Sequence, residues 1–430
     1  MKRLFVLTLT SIITFNALAQ HNKHINNISL TNPSTTDLVE KPISIQRKSF
    51  TAKIANQLFP QIINAKGKEI PSQLNDLDGD GNWDELFFVA DIPQKTTLKL
   101  SVKWFASQPS YPIKTSVRFG KRSSKNTPVE PKTSDTFYAN QLPKLIGYQP
   151  YQTDGPTWEN DKVAFRHYLD GRNAKDLFGK RTSAISPENV GISETGAVQD
   201  NYHVLKDWGR DILPAGNTEG LSVGLGGVGL LINNQLYRVG VTANDTVHNI
   251  EATDFKIVSE GVVKSEISLN YHNWKPTADR TYQLLENPTI WPGMYAYQNT
   301  VKFAGLKGDE TLVIGLSKVA TNHPVTEIKQ GKFVALYTHD AQTYNKEFIV
   351  GLAIILPLET YQGYGESPKT GSFALSYYGK LKVKNGTPLK YYAVGGWELA
   401  DDCFKTSACF EEYLKKLMAQ LNIEVTTKVQ

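Results

Sequence analysis

Apolar and polar residues alternate along most of this chain, with the period of strands. Between residues 43 and 105 the runs Ile43, Ile45; Phe50, Ala52, Ile54; Leu86-Phe87-Phe88-Val89; and Leu98, Leu100, Val102 are separated by turn clusters. This pattern predicts a small antiparallel β domain over 37–106. Residues 20–36 are polar without a period and are expected to form a flexible leader. Residues 107–160, rich in Pro, Ser, Lys and Tyr, read as a long connection draped over the surface. From Val163 to Val394 nearly every periodic run has strand character, including Phe165–Leu169, Val223–Ile232, Val262–Tyr271, Met294–Phe303 and Phe348–Leu356. Turns such as Asn233-Asn234 and Asn385-Gly386 join such runs. So many strands without intervening helices favour a mostly β fold, one large antiparallel β-sandwich over 161–430. At its end Phe410, Tyr413, Leu414, Leu417, Met418 and Leu421 recur at helical spacing, predicting a C-terminal helix that packs on the sandwich.

The first residues change the compartment. Lys2 and Arg3 precede an apolar run from Leu4 to Phe15, and Ala17-Leu18-Ala19 then offers a small-residue cleavage site. That is the pattern of an export signal, 1–19, removed after Ala19. The run is shorter than the roughly 18–20 apolar residues that span a bilayer, and no Cys follows, so no membrane anchor is expected. The reading is a periplasmic protein. In that oxidising setting Cys403 and Cys409, the chain's two cysteines, are expected to close a local disulfide. Two cysteines also exclude zinc-finger and iron–sulfur designs. A formal net charge of +5, from 47 basic and 42 acidic residues, is too balanced for a nucleic-acid partner.

Four segments invite chemistry. Asp76-Leu-Asp78-Gly-Asp80-Gly-Asn82-Trp-Asp84-Glu85 has carboxylates at alternate positions, as a calcium loop does, but Phe87 stands where the bidentate Glu belongs. It reads as a hairpin turn of the small domain, with or without a structural calcium at the Asp76 to Asp84 loop. Gly224-Leu-Gly226-Gly227-Val-Gly229 mimics a phosphate-binding loop, yet strand and turn residues follow it where a helix should begin, so close sheet packing is expected instead. In Phe165-Arg166-His167-Tyr168-Leu169-Asp170-Gly171-Arg172 a strand sends Phe165, His167 and Leu169 to one face and Arg166, Tyr168, Asp170 and Arg172 to the other. Such a face suits either cross-strand ion pairs or the floor of an anion-binding cleft. Tyr202-His203-Val-Leu-Lys206-Asp207-Trp208-Gly-Arg210-Asp211 gives His203 a denser set of potential partners than the chain's other histidines have. Tyr295, Tyr297 and Asn299 on one strand face, with Trp274, Trp291 and Trp397 near turns, suit sugar rings or a core.

These blocks together resemble a family of secreted proteins of unknown function encoded in bacterial polysaccharide-utilisation clusters. The resemblance rests on Ile70-Pro-Ser-Gln73 leading into Asp78-Gly-Asp80-Gly81 and Asp84-Glu-Leu86, and on Phe165-Arg166…Arg172-Asn173…Asp176…Gly179-Lys180. It continues through Tyr202-His203…Asp207-Trp208-Gly209…Asp211 to Gly396-Trp397-Glu398, covering nearly the whole chain after the export signal. It implies a supersandwich similar to galactose mutarotases and polysaccharide lyases. It also implies an activity similar to the ulvan oligosaccharide dehydratase, which removes water from a terminal uronic acid to leave a 4,5-unsaturated sugar.

That elimination sets requirements. The C5 proton is lost beside a carboxylate, so a cation must offset the growing charge, a base must take the proton, and an acid must meet the departing hydroxide. Arg166 is the expected cation, with His203 as base and Tyr168 as acid, or the reverse. Arg172, Lys180, Asp207, Trp208 and Asp211 are expected to bind substrate, Arg172 by capturing the carboxylate and Asp207 by orienting His203. The expected partner is an acidic oligosaccharide, and no cofactor is required. A glycoside hydrolase using Asp207 with Asp170 or Asp211, and a non-catalytic sugar-binding protein, are the alternatives.

Overall fold

A computed structural model describes residues 26–50, 58–213, 221–321, 323–343 and 345–430. The expected export signal, and the Ala52 and Ile54 part of the small-domain pattern, lie outside these residues. Among them no helix is long and apolar enough to cross a membrane.

The centre of the molecule is a nine-stranded antiparallel sheet running from Ser134–Tyr138 at one edge to Thr326–Gln330 at the other. Two five-stranded sheets share its inner face. One contains Thr157–Glu159, Val163–His167, Lys175–Lys180 and Gly209–Leu213; the other contains Val228–Ile232, Thr311–Ser317 and Ser376–Lys382. The alternation read from the sequence accounts for the packing. Phe165 and Trp158 point inward against Tyr297, with ring centroids 4.6 and 5.2 Å away. Leu177 meets the backbone at Gly395, and Gly179 lies under Trp397, where a Cβ would come within 2.2 Å of the ring. The glycine-rich run behaves as expected of sheet packing. Gly224, at φ 76°, crosses so close to Lys175 that a Cβ would sit 1.9 Å from its carbonyl oxygen.

The helix Ser407–Asn422 lies on the outer face of the nine-stranded sheet, capped by the Thr406 hydroxyl, which accepts from the Cys409 amide. Phe410 fills the space over Gly351 and Gly396. Cys403 and Cys409 are disulfide-bonded, tying the preceding turn to the helix's first turn.

The N-terminal domain is a two-sheet sandwich with its own core of Ile28, Leu30, Ile45, Phe88, Leu100 and Trp104. Gln73 and Lys264 dock it to the large sandwich: Gln73 Oε1 accepts from the Val263 and Lys264 amides, and Lys264 Nζ lies 2.9 Å from Glu85.

Two segment expectations fail. The supposed leader 20–36 contains the strand Asn26–Thr31, which buries Ile28 and Leu30 between Thr97–Phe105 and the late strand Thr426–Val429. Its two apolar residues are too few to show a period, and the partner strands supply the order. The stretch 107–160 is no surface connection either. It contributes Ser134–Tyr138 to the large sheet and buries Val117, Phe119, Phe137, Tyr151 and Trp158 in the main core.

Candidate active site

The hairpin of Val163–His167 and Lys175–Lys180 builds the site. Gly171 (φ 95°) and Asn173 (φ 49°) supply the positive φ values of the connection, and the register sets Arg166 directly across from Asp176. The next strand, Gly209–Leu213, carries Asp211 onto the same outward face, and the loop 181–208 folds over it with Tyr202 and His203. Asp154 enters from the turn before Thr157–Glu159.

Arg166 is the hub. Its side chain is 1% exposed, and Nη2 donates to Tyr168 Oη at 2.5 Å, to Asp211 Oδ2 at 3.0 Å and to Asp176. Nη1 faces Thr153 O at 3.4 Å and Asp154 at 3.7 Å. Tyr168 Oη donates to Asp176 Oδ2 at 2.7 Å, and the guanidinium carbons of Arg166 and Arg172 lie 4.3 and 3.9 Å from the centre of its ring. His203 Nδ1 is 3.5 Å from Asp211 Oδ2, the same oxygen that Arg166 holds. The arginine and histidine stretches, 37 residues apart in sequence, therefore converge on one carboxylate. His203 is the open member, with a side chain 40% exposed.

Burial and charge set the protonation states. Desolvation, reinforced by Arg166, holds the His203 imidazole below its ordinary value, so it is neutral at pH 7. Desolvation raises the Tyr168 phenol well above its usual range against the pull of Arg166 and Arg172, so it keeps its proton. Desolvation lifts Asp154, Asp176 and Asp211 to about 6 each, opposed by Arg166. The three carboxyls compete for the Arg166 guanidinium, while Arg172 also pulls on Asp154 and Arg210 on Asp211. Asp176 Oδ1 and Asp211 Oδ1 are buried without a hydrogen-bond partner among the described residues.

The remaining candidates divide. Arg172 does reach the cluster, but its guanidinium is held by Asp170 at 2.5 and 2.8 Å beside Asp154. Lys180 does not face a sugar: it is buried, with Nζ bonded to Glu159 at 2.6 Å and to Asn160 O. Asp207 is exposed at the far end of its loop, and among the described residues Asp211 and Asp200 are acids that face His203. Trp208 is half-buried against Phe178, at 6.3 Å. Tyr297, Asn299, Trp274 and Trp397 are core residues at 1% exposure or less, Tyr295 and Trp291 are buried beside them, and none presents a sugar platform. The sequence assigns no role to Asp176, Asp154 or Tyr202. The Asp176 signal was present, since a hairpin turning at Gly171 must set it opposite Arg166. Asp154 had none, its segment having no strand pattern.

In the small domain the Asp76 to Asp84 loop is a hairpin turn between Ser72–Asn75 and Glu85–Ile92. Oxygens of Asp76, Asp78 and Asp84 come within 4.8 Å of one another, a donor set that suits a hard cation. The same carboxylates already accept backbone amides: Asp76 from Gly79 and Gly81, Asp84 from Leu77.

Fold and site together define a two-domain β protein whose large sandwich carries an outward arginine–tyrosine–carboxylate cluster faced by a histidine. The chain belongs to the family described as Domain of unknown function (DUF4861), which matches residues 30–426. It is 23% identical over 296 residues to the uncharacterized protein P7 of Formosa agariphila, covering 66% of this chain and 69% of that one. Among solved structures it is similar to an alpha-mannosidase from Enterococcus faecalis, with a TM-score of 0.46 at 9% identity. A glycosyl hydrolase family 38 protein from the same organism gives 0.47 at 10%. Each comparison covers 94% of this chain but 46–47% of the other, so the chain spans just under half the length of those proteins.

Proposed function

We propose that the protein is a carbon–oxygen lyase that removes water from the non-reducing-end uronic acid of ulvan-type oligosaccharides. The observation that carries this reading is the shared contact of Arg166 and His203 with Asp211 Oδ2, which puts a cation, a neutral base and a protonated acid around one point. His203, neutral and open to solvent, takes the C5 proton; Asp211 holds the imidazolium that forms. Tyr168 gives its proton to the departing C4 hydroxyl. The two guanidiniums beside its ring offset the phenolate charge that results. Arg166 acts here by positioning and by its field, because it is buried and its Nη2 is held by Tyr168, Asp176 and Asp211. The Cys403–Cys409 disulfide supports an oxidising, periplasmic setting. A structural calcium at the Asp76 to Asp84 loop is a separate proposal that takes no part in these steps.

Mass spectrometry of uronate oligosaccharides incubated with the protein tests the reading. Loss of one water with no shortening of the chain is the expected result. Shortened products would instead favour a glycoside hydrolase, a reading that the paired, upward-shifted Asp176 and Asp211 also serve. Unchanged masses sink both.

A further inference from the structure

On the far side of the sandwich from the candidate site, the chain crosses between sheets at Pro357–Thr360 and at 383–388, where Asn385-Gly386 turns. The second turn joins strands of different sheets, and the two crossovers border a groove of about 860 Å³. Its apolar floor includes Phe333 and Tyr392, an edge-to-face pair with centroids 6.1 Å apart. Tyr391 and Ala393 point inward, so Tyr392 and Lys390 face out from the nine-stranded sheet, with the packed interior between them and Arg166. Lys332, Lys382, Lys384 and Lys390 line the groove, all exposed. Two acids offset them in part: Glu359 in the groove, and Glu424, which pairs with Lys332 at 2.8 Å. Lys382, Lys384 and Lys390 enter no ion pair among the described residues.

We infer that this groove is a second carbohydrate site, binding a sulfated polysaccharide strand at a distance from the chemistry. The inference rests on the acidic-saccharide reading above for the class of polymer, but not on the reaction. Aromatic and aliphatic floor groups meet the apolar faces of sugar rings, while ammonium groups on the rim meet charges that project from them. Lysines, as compact point charges without a flat fork, suit sulfate esters at varied positions better than they suit bidentate carboxylate capture, for which arginine is fitted. Exposed lysines such as Lys382, Lys384 and Lys390 also give binding that weakens as salt rises. Such a site would hold the polymer near the enzyme while shorter ends reach His203.

The test is affinity electrophoresis of the whole protein through gels containing a sulfated uronate polysaccharide, unsulfated polygalacturonate or neutral dextran. It compares wild type with the Lys384→Glu/Lys390→Glu variant, in which both altered side chains are exposed. Retardation by the sulfated polymer is expected to fall roughly tenfold or more in the variant, where two attractions become repulsions, and to fade with salt in the wild type. Turnover of short oligosaccharides should not change. Equal retardation of variant and wild type overturns the inference, as does equal binding of neutral dextran. Lysine-dependent binding without turnover of any oligosaccharide would keep this site and remove the lyase reading. Turnover without lysine-dependent binding would do the reverse.

Discussion

Lys175 and Asp176 are neighbours on one strand and serve two opposite designs. Lys175 points into the core and meets Glu286 at 2.8 Å; Tyr271 fills Glu286 Oε1 and Asn299 shares Oε2. Every carboxylate oxygen there is occupied, and the pair is 0% and 1% exposed. Asp176 points the other way, into a group where three acids compete for Arg166 and two oxygens have no partner among the described residues. A closed network fixes how two sheets sit on each other. An over-acidic one beside a half-open histidine keeps protons in play, and that is where a reaction is to be sought.

The comparison breaks first on stability. Lys175→Met leaves the buried Glu286 carboxylate without its cation and is expected to cost about 3–5 kcal/mol, read as a lower urea midpoint; a change within error would mean the core network is slack. On the outward face the largest effect should be on rate. His203→Gln and Tyr168→Phe are each expected to lower kcat by about 10²- to 10⁴-fold, with nearly unchanged melting for the half-exposed His203 and a loss of about 1–3 kcal/mol for the buried Tyr168 hydroxyl. Full activity in either removes that residue from the chemistry. Asp211→Asn should slow the reaction while Asp207→Asn should not, and the opposite order would restore the arrangement expected from the sequence.

Smaller effects depend on pH. Since the His203 pKa is lowered, kcat/KM should rise with pH through a midpoint below the ordinary imidazole value of about 6.5; a midpoint above it excludes this base. The three acids near 6 bind more protons folded than unfolded, where carboxylates titrate near about 4. Stability contributed by these groups should therefore fall as pH rises from about 4 to about 6, and Asp176→Asn should flatten that slope. The smallest expected shift is calcium's: at tenfold above its Kd the ion would add roughly 1.4 kcal/mol, and no change in melting on adding calcium or chelator would dismiss it.

Much of this was legible where a single strand carries the pattern. The period of two placed Arg166 and Tyr168 together and sent Phe165 inward, and the helical spacing of Phe410 to Leu421 marked the helix. What depended on register between segments was not. Asp207 and Asp211 look alike in sequence; only the start of the strand at Gly209 brings Asp211 to Arg166 and leaves Asp207 in solvent. Lys180 looked like a ligand group because its partner Glu159 lay in a stretch that showed no order. Asn26–Thr31 was hidden for the same reason.

That strand has a consequence for the nascent chain. Asn26–Thr31 is flanked on one side by Thr97–Phe105 and on the other by Thr426–Val429, and Asn26 also bonds Gln430 across 404 positions. During synthesis the first domain therefore emerges with one sheet edge bare, and keeps it bare until the whole sandwich has left the ribosome. Whatever shields that edge in the interval, the domain made first is the one finished last.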